Sequence, residues 1–233
     1  MAKAPAPELD FRKWIVWEDE HLVAVDKPAG VLSQGGEGGA GKNVVDLARV
    51  HFGRGGLGVL HRIDRNVSGI VLIAKDHATA SAMAKLFAKN EVERVYRAIV
   101  SGTPSADDLV MDAWLAKNEK TNEVTARPEA ELERVEDRDA YRPARTEAHV
   151  LRRFKARIGA CAELEVRPIT GRSHQIRVHL ASVGLRIVGD PKYGVAAPGI
   201  NRPLLHAERV IFTHPRTRKR ITIEAPIPWK PFE

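Results

Sequence analysis

The run Ile70-Val71-Leu72-Ile73-Ala74 is apolar throughout and opens through the sharp Ser68-Gly69 turn. It reads as a β-strand. The segment that enters this strand, Gly58-Val59-Leu60-His61-Arg62-Ile63-Asp64-Arg65-Asn66-Val67, places one carboxylate among three cationic or titratable side chains. Positive charge on both sides favours the ionised form of that carboxylate, which suits a nucleophile or a base. Alone, the segment is also what a salt-bridged loop looks like, so its meaning depends on the rest of the chain.

Two of the chain's bulk properties narrow its class. With 233 residues, 43% of them hydrophobic, it can bury a substantial core. With 37 Lys and Arg against 30 Asp and Glu, the net charge is +7. That excess favours a polyanionic partner, with nucleic acid the leading candidate. No apolar run approaches the roughly 20 residues of a membrane span, and the amino-terminal stretch lacks a signal-type apolar core, so a cytoplasmic protein with no membrane partner is expected. The single cysteine, Cys161, excludes an internal disulfide framework. The nine histidines form no H-E-x-x-H or other zinc-like spacing, so no metal site is expected.

Strand patterns occur near residues 14–17, 22–25, 94–100, 110–115, 146–151, 160–167, 209–213 and 220–224. Asn43 can cap a short helix through Val50. Asp76 can cap a longer one over 78–89, with Ala82, Met83, Leu86 and Phe87 on its apolar face. The glycine-rich loop 35–41 lacks the Gly-Lys-Ser/Thr ending of a phosphate cradle and reads as a mobile loop. Residues 1–13 are expected to be a flexible segment and 14–233 one α+β domain, a large, mainly antiparallel mixed sheet flanked by helices and loops. The polar stretch 117–143 fits a surface insertion.

A further helix is expected from Ser173 to Gly184, burying Ile176, Leu180 and Val183. His174 and Arg177, three apart, project together, and Arg172, Ser173 and the free N–H groups at the helix start form a candidate anion site.

Three segments together carry a resemblance: His61 to Gly69 with Ala74-Lys75, Arg94-Val95-Tyr96-Arg97-Ala98, and Gly171-Arg172-Ser173-His174-Gln175-Ile176-Arg177-Val178-His179. They are similar to the RluA family of RNA pseudouridine synthases. Asp26-Lys27-Pro28-Ala29-Gly30 resembles that family's early Lys-Pro-x-Gly turn, and Gly189-Asp190-Pro191-Lys192-Tyr193-Gly194 its Gly-Asp-x-x-Tyr-Gly stretch. The ordered motifs span roughly residues 14–226, and together they are far more specific than any one.

The resemblance implies an isomerase. A uridine in RNA, ribosomal or transfer, would be detached from its ribose at N1, rotated and rejoined through C5, with no metal or organic cofactor. Asp64 matches the family's essential aspartate, which either attacks the sugar or removes a sugar proton. Arg177 matches the arginine that pairs with that aspartate. Tyr96 matches the tyrosine that stacks on the target base, a candidate for removing the C5 proton. Arg62 matches a residue that fills the stack left by the flipped uridine. His61, Arg65, Arg172, His174 and Gln175 are the remaining substrate-binding candidates. Glycosidases normally use two carboxylates, and no second acid accompanies Asp64 in these motifs.

Val67 stands where the family usually has threonine and Arg94 where it has lysine, and Ser33-Gln34 departs from the family's usual His-Pro. Many relatives carry an S4-type RNA-binding domain, but about a dozen residues precede Trp14, so RNA recognition is expected to fall to the catalytic domain. Candidate backbone contacts are Arg152, Arg153, Lys155 and Arg157 in one cluster and Arg216, Arg218, Lys219 and Arg220 in another. Nothing requires more than a monomer. The competing readings are a catalytically silent RNA-binding protein on the same scaffold and a nucleoside or sugar hydrolase.

Overall fold

Short β-branched runs broken by polar corners give a chain whose regular structure is mostly strand. The computed structural model describes residues 9–35, 43–53 and 55–229, and among them lie twelve strands and three α-helices. In chain order these are β1 (Ile15–Glu18), β2 (Leu22–Lys27), α1 (Val44–Phe52), β3 (Gly58–Val59), β4 (Ser68–Ala74), α2 (His77–Ala88), β5 (Glu93–Ser101) and β6 (Asp108–Asn118). There follow β7 (Glu123–Arg127), β8 (Arg142–Ala156), β9 (Gly159–Pro168), α3 (Gln175–Ser182), β10 (Arg186–Ile187), β11 (Leu205–Thr213) and β12 (Arg220–Glu224). This is the expected α+β class with mainly antiparallel pairing. None of the helices in the described residues is long and apolar enough to cross a membrane.

Contacts divide the chain into two compact units, Met1–Arg94 with His206–Pro228 and Val95–Leu205 with Trp229–Glu233. In the first, β4 lies between β2, to which it is antiparallel, and β11, to which it is parallel. All seven residues of β4 are buried. On this sheet α2 packs through Met83, Leu86 and Phe87 against Leu22, Ile70, Leu72, Val210 and Phe212, as its helical spacing predicts. Asp76 caps α2, accepting from the Thr79 N–H at 2.7 Å, and Asn43 caps α1 through the Asp46 N–H. Regular structure starts earlier than Trp14. A 3₁₀ turn over Phe11–Trp14 buries both aromatic ends, and its first three residues belong to the segment 1–13. Most of the glycine-rich loop, 36–41, lies outside the described residues.

The second unit is a five-strand path β5-β9-β8-β6-β7, antiparallel at each step, with β10 beside β5. Two of its strands, β6 and β8, run well beyond their apolar centres. Their ends are polar and half solvated, so periodicity alone could not reveal them. The stretch 117–143 completes the β6–β7 hairpin and adds two 3₁₀ turns, burying Val124, Leu132 and Tyr141. In α3 the expected buried stripe is corrected. Residues 175–180 are all buried, Arg177 and His179 included, whereas Val183 is half exposed.

Gly69 explains the Ser-Gly turn. Its φ is +116°, and a Cβ there would run into the backbone of Ala207, whose nitrogen would lie 2.5 Å away. Gly159 also has positive φ, +107°, but open space around it. Gly69→Ala should therefore cost at least about 3 kcal/mol in urea unfolding, because strain and overpacking add, against about 1 kcal/mol for Gly159→Ala. Equal losses would show that backbone conformation, not the approach of β11, selects glycine at 69.

Candidate active site

Asp64 sits partly buried at the start of a β-turn closed by the Val67 N–H on the Asp64 carbonyl, 3.1 Å. The chain is fixed on both sides of it. Before it, Ile63 is buried, and its N–H and C=O both bond the Ser33 hydroxyl, at 3.2 and 3.0 Å. After it, the Arg65 carbonyl accepts from the Gly30 N–H at 2.7 Å and from Lys27 Nζ at 3.2 Å. Lys27 is fully buried, and its ammonium donates to four carbonyls, those of Pro28, Val31, Arg65 and Val67. A buried cation is tolerated only when such acceptors replace water. This one ties the early turn to the aspartate loop. Neither Lys27 nor Ser33 was among the predicted site residues. Lys27 was visible within the Lys-Pro-Ala-Gly turn, while Ser33 carried no signal.

The other loop candidates separate by orientation. Arg62 is exposed, as base insertion would require. Arg65 is exposed and bonds the Gly30 carbonyl through Nε. His61 is turned inward. Its Nε2 accepts the Leu72 N–H at 3.2 Å and its ring packs 5.3 Å from that of Phe87. Burial, helped by the charge of Arg94, lowers its pKa to about 3, so it is a neutral structural group that seats the loop on β4.

In the second unit, α3 carries Arg177. Its guanidinium meets the Asp190 carboxylate side-on, Nε to Oδ2 and Nη2 to Oδ1, both at 2.7 Å, with the carboxylate fully buried. Burial pushes the Asp190 carboxyl up. The hydrogen bonds and charge of Arg177, with the Lys192 and Tyr193 amides, outweigh it and hold the group below the usual carboxylate range. The Tyr193 ring lies 5.0 Å from the same guanidinium. Its hydroxyl accepts the Val124 N–H at 2.7 Å and lies 2.9 Å from Nδ1 of His174. His174 and Arg177 thus converge on Tyr193, and His174 adopts left-handed backbone geometry, φ +52°, to do so. Asp190 and Tyr193 belong to the Gly-Asp-Pro-Lys-Tyr-Gly stretch, which sequence reasoning noted without assigning a role.

Gln175 is engaged within the protein. Its side chain is consumed internally, accepting from Thr170 and the Arg172 N–H and donating to the Arg145 carbonyl and Thr146. It builds the start of α3. Arg172 is exposed, with Nε on the Pro143 carbonyl. Tyr96 lies on β5, 8% exposed, opposite Val166 of β9. The described residues contain no group of three or more His, Cys, Asp or Glu able to hold a metal ion.

A partly buried carboxylate on a braced loop is a candidate base or nucleophile. Residues 21–182 match the family model for RNA pseudouridylate synthase. The chain is 33% identical over 220 residues to ribosomal large subunit pseudouridine synthase C of Vibrio cholerae, covering 91% of this chain and 65% of that protein. It is 34% identical over 231 residues to synthase D of Zymomonas mobilis, covering 92% and 69%. The chain thus spans about two thirds of the length of these relatives. Human RNA pseudouridylate synthase domain containing 1 shares the fold, with TM-score 0.75 at 22% identity over 93% of this chain and 84% of its own. The chain belongs to the RNA pseudouridylate synthase family.

Two measurements test the framework. Lys27→Met keeps the stem but leaves the carbonyls without their donor. It should cost about 3 kcal/mol in denaturant unfolding, and a variant as stable as the parent would show that the ammonium does not hold the loop. His179 is fully buried against Thr146 at 2.9 Å, and burial, opposed by the charge of Asp112, lowers its pKa to about 4. For His61 and His179 the folded values lie below the unfolded 6.5, so the unfolded chain binds more protons in the window below it. Their contribution is complete above about pH 6.5 and is lost as pH falls toward 4, by up to about 1.4 kcal/mol per pH unit for each. His179→Gln should flatten the fall in Tm between pH 6.5 and 4.5, and an unchanged slope would remove His179 from the acid response.

Proposed function

We propose that this chain isomerises a specific uridine in structured RNA to pseudouridine, with ribosomal RNA the favoured substrate class. The observation that carries the reading is the bracing of Asp64. Backbone groups on both sides of it are tied by Ser33, Gly30 and Lys27, while its own side chain stays only partly buried. Preorganisation of this kind is what a reacting group requires and a decorative salt bridge does not. The names of the Vibrio and Zymomonas relatives support ribosomal RNA, and the net charge of +7 suits a polyanion.

The chemistry is redox-neutral and leaves the composition of the nucleotide unchanged, one proton being lost to solvent and one gained. The C1′–N1 bond breaks, the base turns, a C1′–C5 bond forms, the C5 proton leaves and N1 gains one. Asp64 acts on the sugar, as nucleophile or as base for a sugar proton. Tyr96 stacks on the uracil and takes the C5 proton, and Arg62 occupies the vacated stack. Arg177, held by Asp190, is the residue that the family resemblance assigns to pairing with the essential aspartate. No step calls for a metal or an organic cofactor, and a monomer suffices.

Tritium release from 5-tritiated uridine in ribosomal and transfer RNA transcripts tests this directly. Wild type should release tritium without free uracil. Asp64→Asn should lose at least about 10³-fold in turnover with RNA affinity kept, and Asp190→Asn about 10²-fold through a displaced Arg177. Binding without release by wild type would favour a silent RNA-binding protein, and free uracil a hydrolase.

A further inference from the structure

The two clusters of surface cations differ once their partners are known. On the β8–β9 hairpin, Arg152 Nε donates to Glu163 at 2.6 Å. Arg153 pairs with Asp107 at 2.7 Å and also donates to the carbonyls of Pro104 and Ala106. Only Lys155 and Arg157 of that group have no ion pair among the described residues, and much of its charge is answered within the protein.

The turn joining β11 to β12 is built otherwise. Residues 216–220 are all exposed, and four of the five are cations. Arg216, Arg218 and Lys219 have no ion pair among the described residues, and Arg220 reaches Glu93 only at 3.9 Å. Asp76 feels the charge of Arg216, but its oxygens are engaged by Thr79 and His21.

This turn is also preformed. His214 is fully buried beneath it, with Nδ1 accepting the N–H groups of Arg216 and Thr217 at 3.2 and 3.1 Å. Its own N–H donates to the Lys219 carbonyl at 2.8 Å, and its carbonyl accepts from the Arg218 N–H at 2.9 Å. Nε2 stands 3.0 Å from Asp19, which also binds the N–H groups of His21 and Leu22. Arg218 is held at φ +61°, a conformation unfavourable for its side chain. A solvated charge run needs no such scaffold. One that presents three unpaired cations on a fixed backbone has already met part of the ordering cost of binding.

We propose that the β11–β12 turn is a phosphate-contact site for the RNA substrate, separate from the aspartate loop, supplying affinity and orientation but no chemistry. The proposal rests on the RNA reading above. Three phosphate contacts should contribute roughly 0.7 to 0.9 each to the slope of log K against log salt, and about 10- to 100-fold in affinity near 0.15 M salt.

The test measures Kd of a large-subunit ribosomal RNA transcript between 0.05 and 0.3 M salt for wild type, a triple Arg216→Gln, Arg218→Gln, Lys219→Gln variant and a control Arg152→Gln, Arg153→Gln variant. Thermal melts report that each is folded. The triple variant should bind about 10- to 100-fold more weakly with a slope shallower by roughly two to three, and keep wild-type kcat at saturating RNA. The control should change affinity by less than about threefold. Wild-type affinity and slope in the triple variant would overturn the site, as would an equal loss in the control. Failure of wild type to convert any RNA would overturn the reading of function instead, and the binding slopes would still decide the site.

Discussion

A fully buried lysine ammonium is the constraint on which the first unit depends. Lys27 leaves the end of β2 and its nitrogen gathers carbonyls from both the 28–31 turn and the 65–67 segment, so two loops distant in sequence become one rigid piece. Desolvating that charge is costly. The cost makes the arrangement specific, because any alternative packing of either loop leaves the ammonium short of acceptors. The Ser33 hydroxyl completes the brace from the other side.

The second unit solves a related problem with an ion pair. Arg177 is a long, flexible side chain, and the fully buried Asp190 fixes the plane of its guanidinium through two parallel bonds. Tyr193 lies over the same group and bonds the backbone of β7, while Lys192 Nζ reaches the carbonyls of Thr121 and Asn122 at the β6–β7 turn. One six-residue stretch therefore aims an arginine and anchors a hairpin.

Much of this was legible in the residues. Strand β4, the cap and apolar face of α2, and Asp64 with its flanking arginines all follow from patterns that local physics imposes. What escaped was set by partners far along the chain. Gln175 and His61 are polar residues in conspicuous motifs, and polarity suggested a ligand. In the structure both satisfy backbone groups that tertiary packing had cut off from water. Val183 keeps the helical spacing of a core residue, but α3 ends before reaching anything to bury it. The value of Asp190 could not be read without knowing that α3 lays Arg177 against it.

The parallel neighbour of β4 has a consequence for the order of events during synthesis. Every other partner of that strand is made before it or just after it, but β11 is separated from it by the whole second unit. Until His206 and Ala207 leave the ribosome, the Ser68–Gly69 end of one edge of β4 is bare, and the backbone against which Gly69 closes does not exist. Non-local pairings of this kind form late and slowly. A nascent or truncated chain can therefore hold its aspartate loop in the brace of Lys27, Gly30 and Ser33 while the start of the strand that follows still lacks its parallel neighbour.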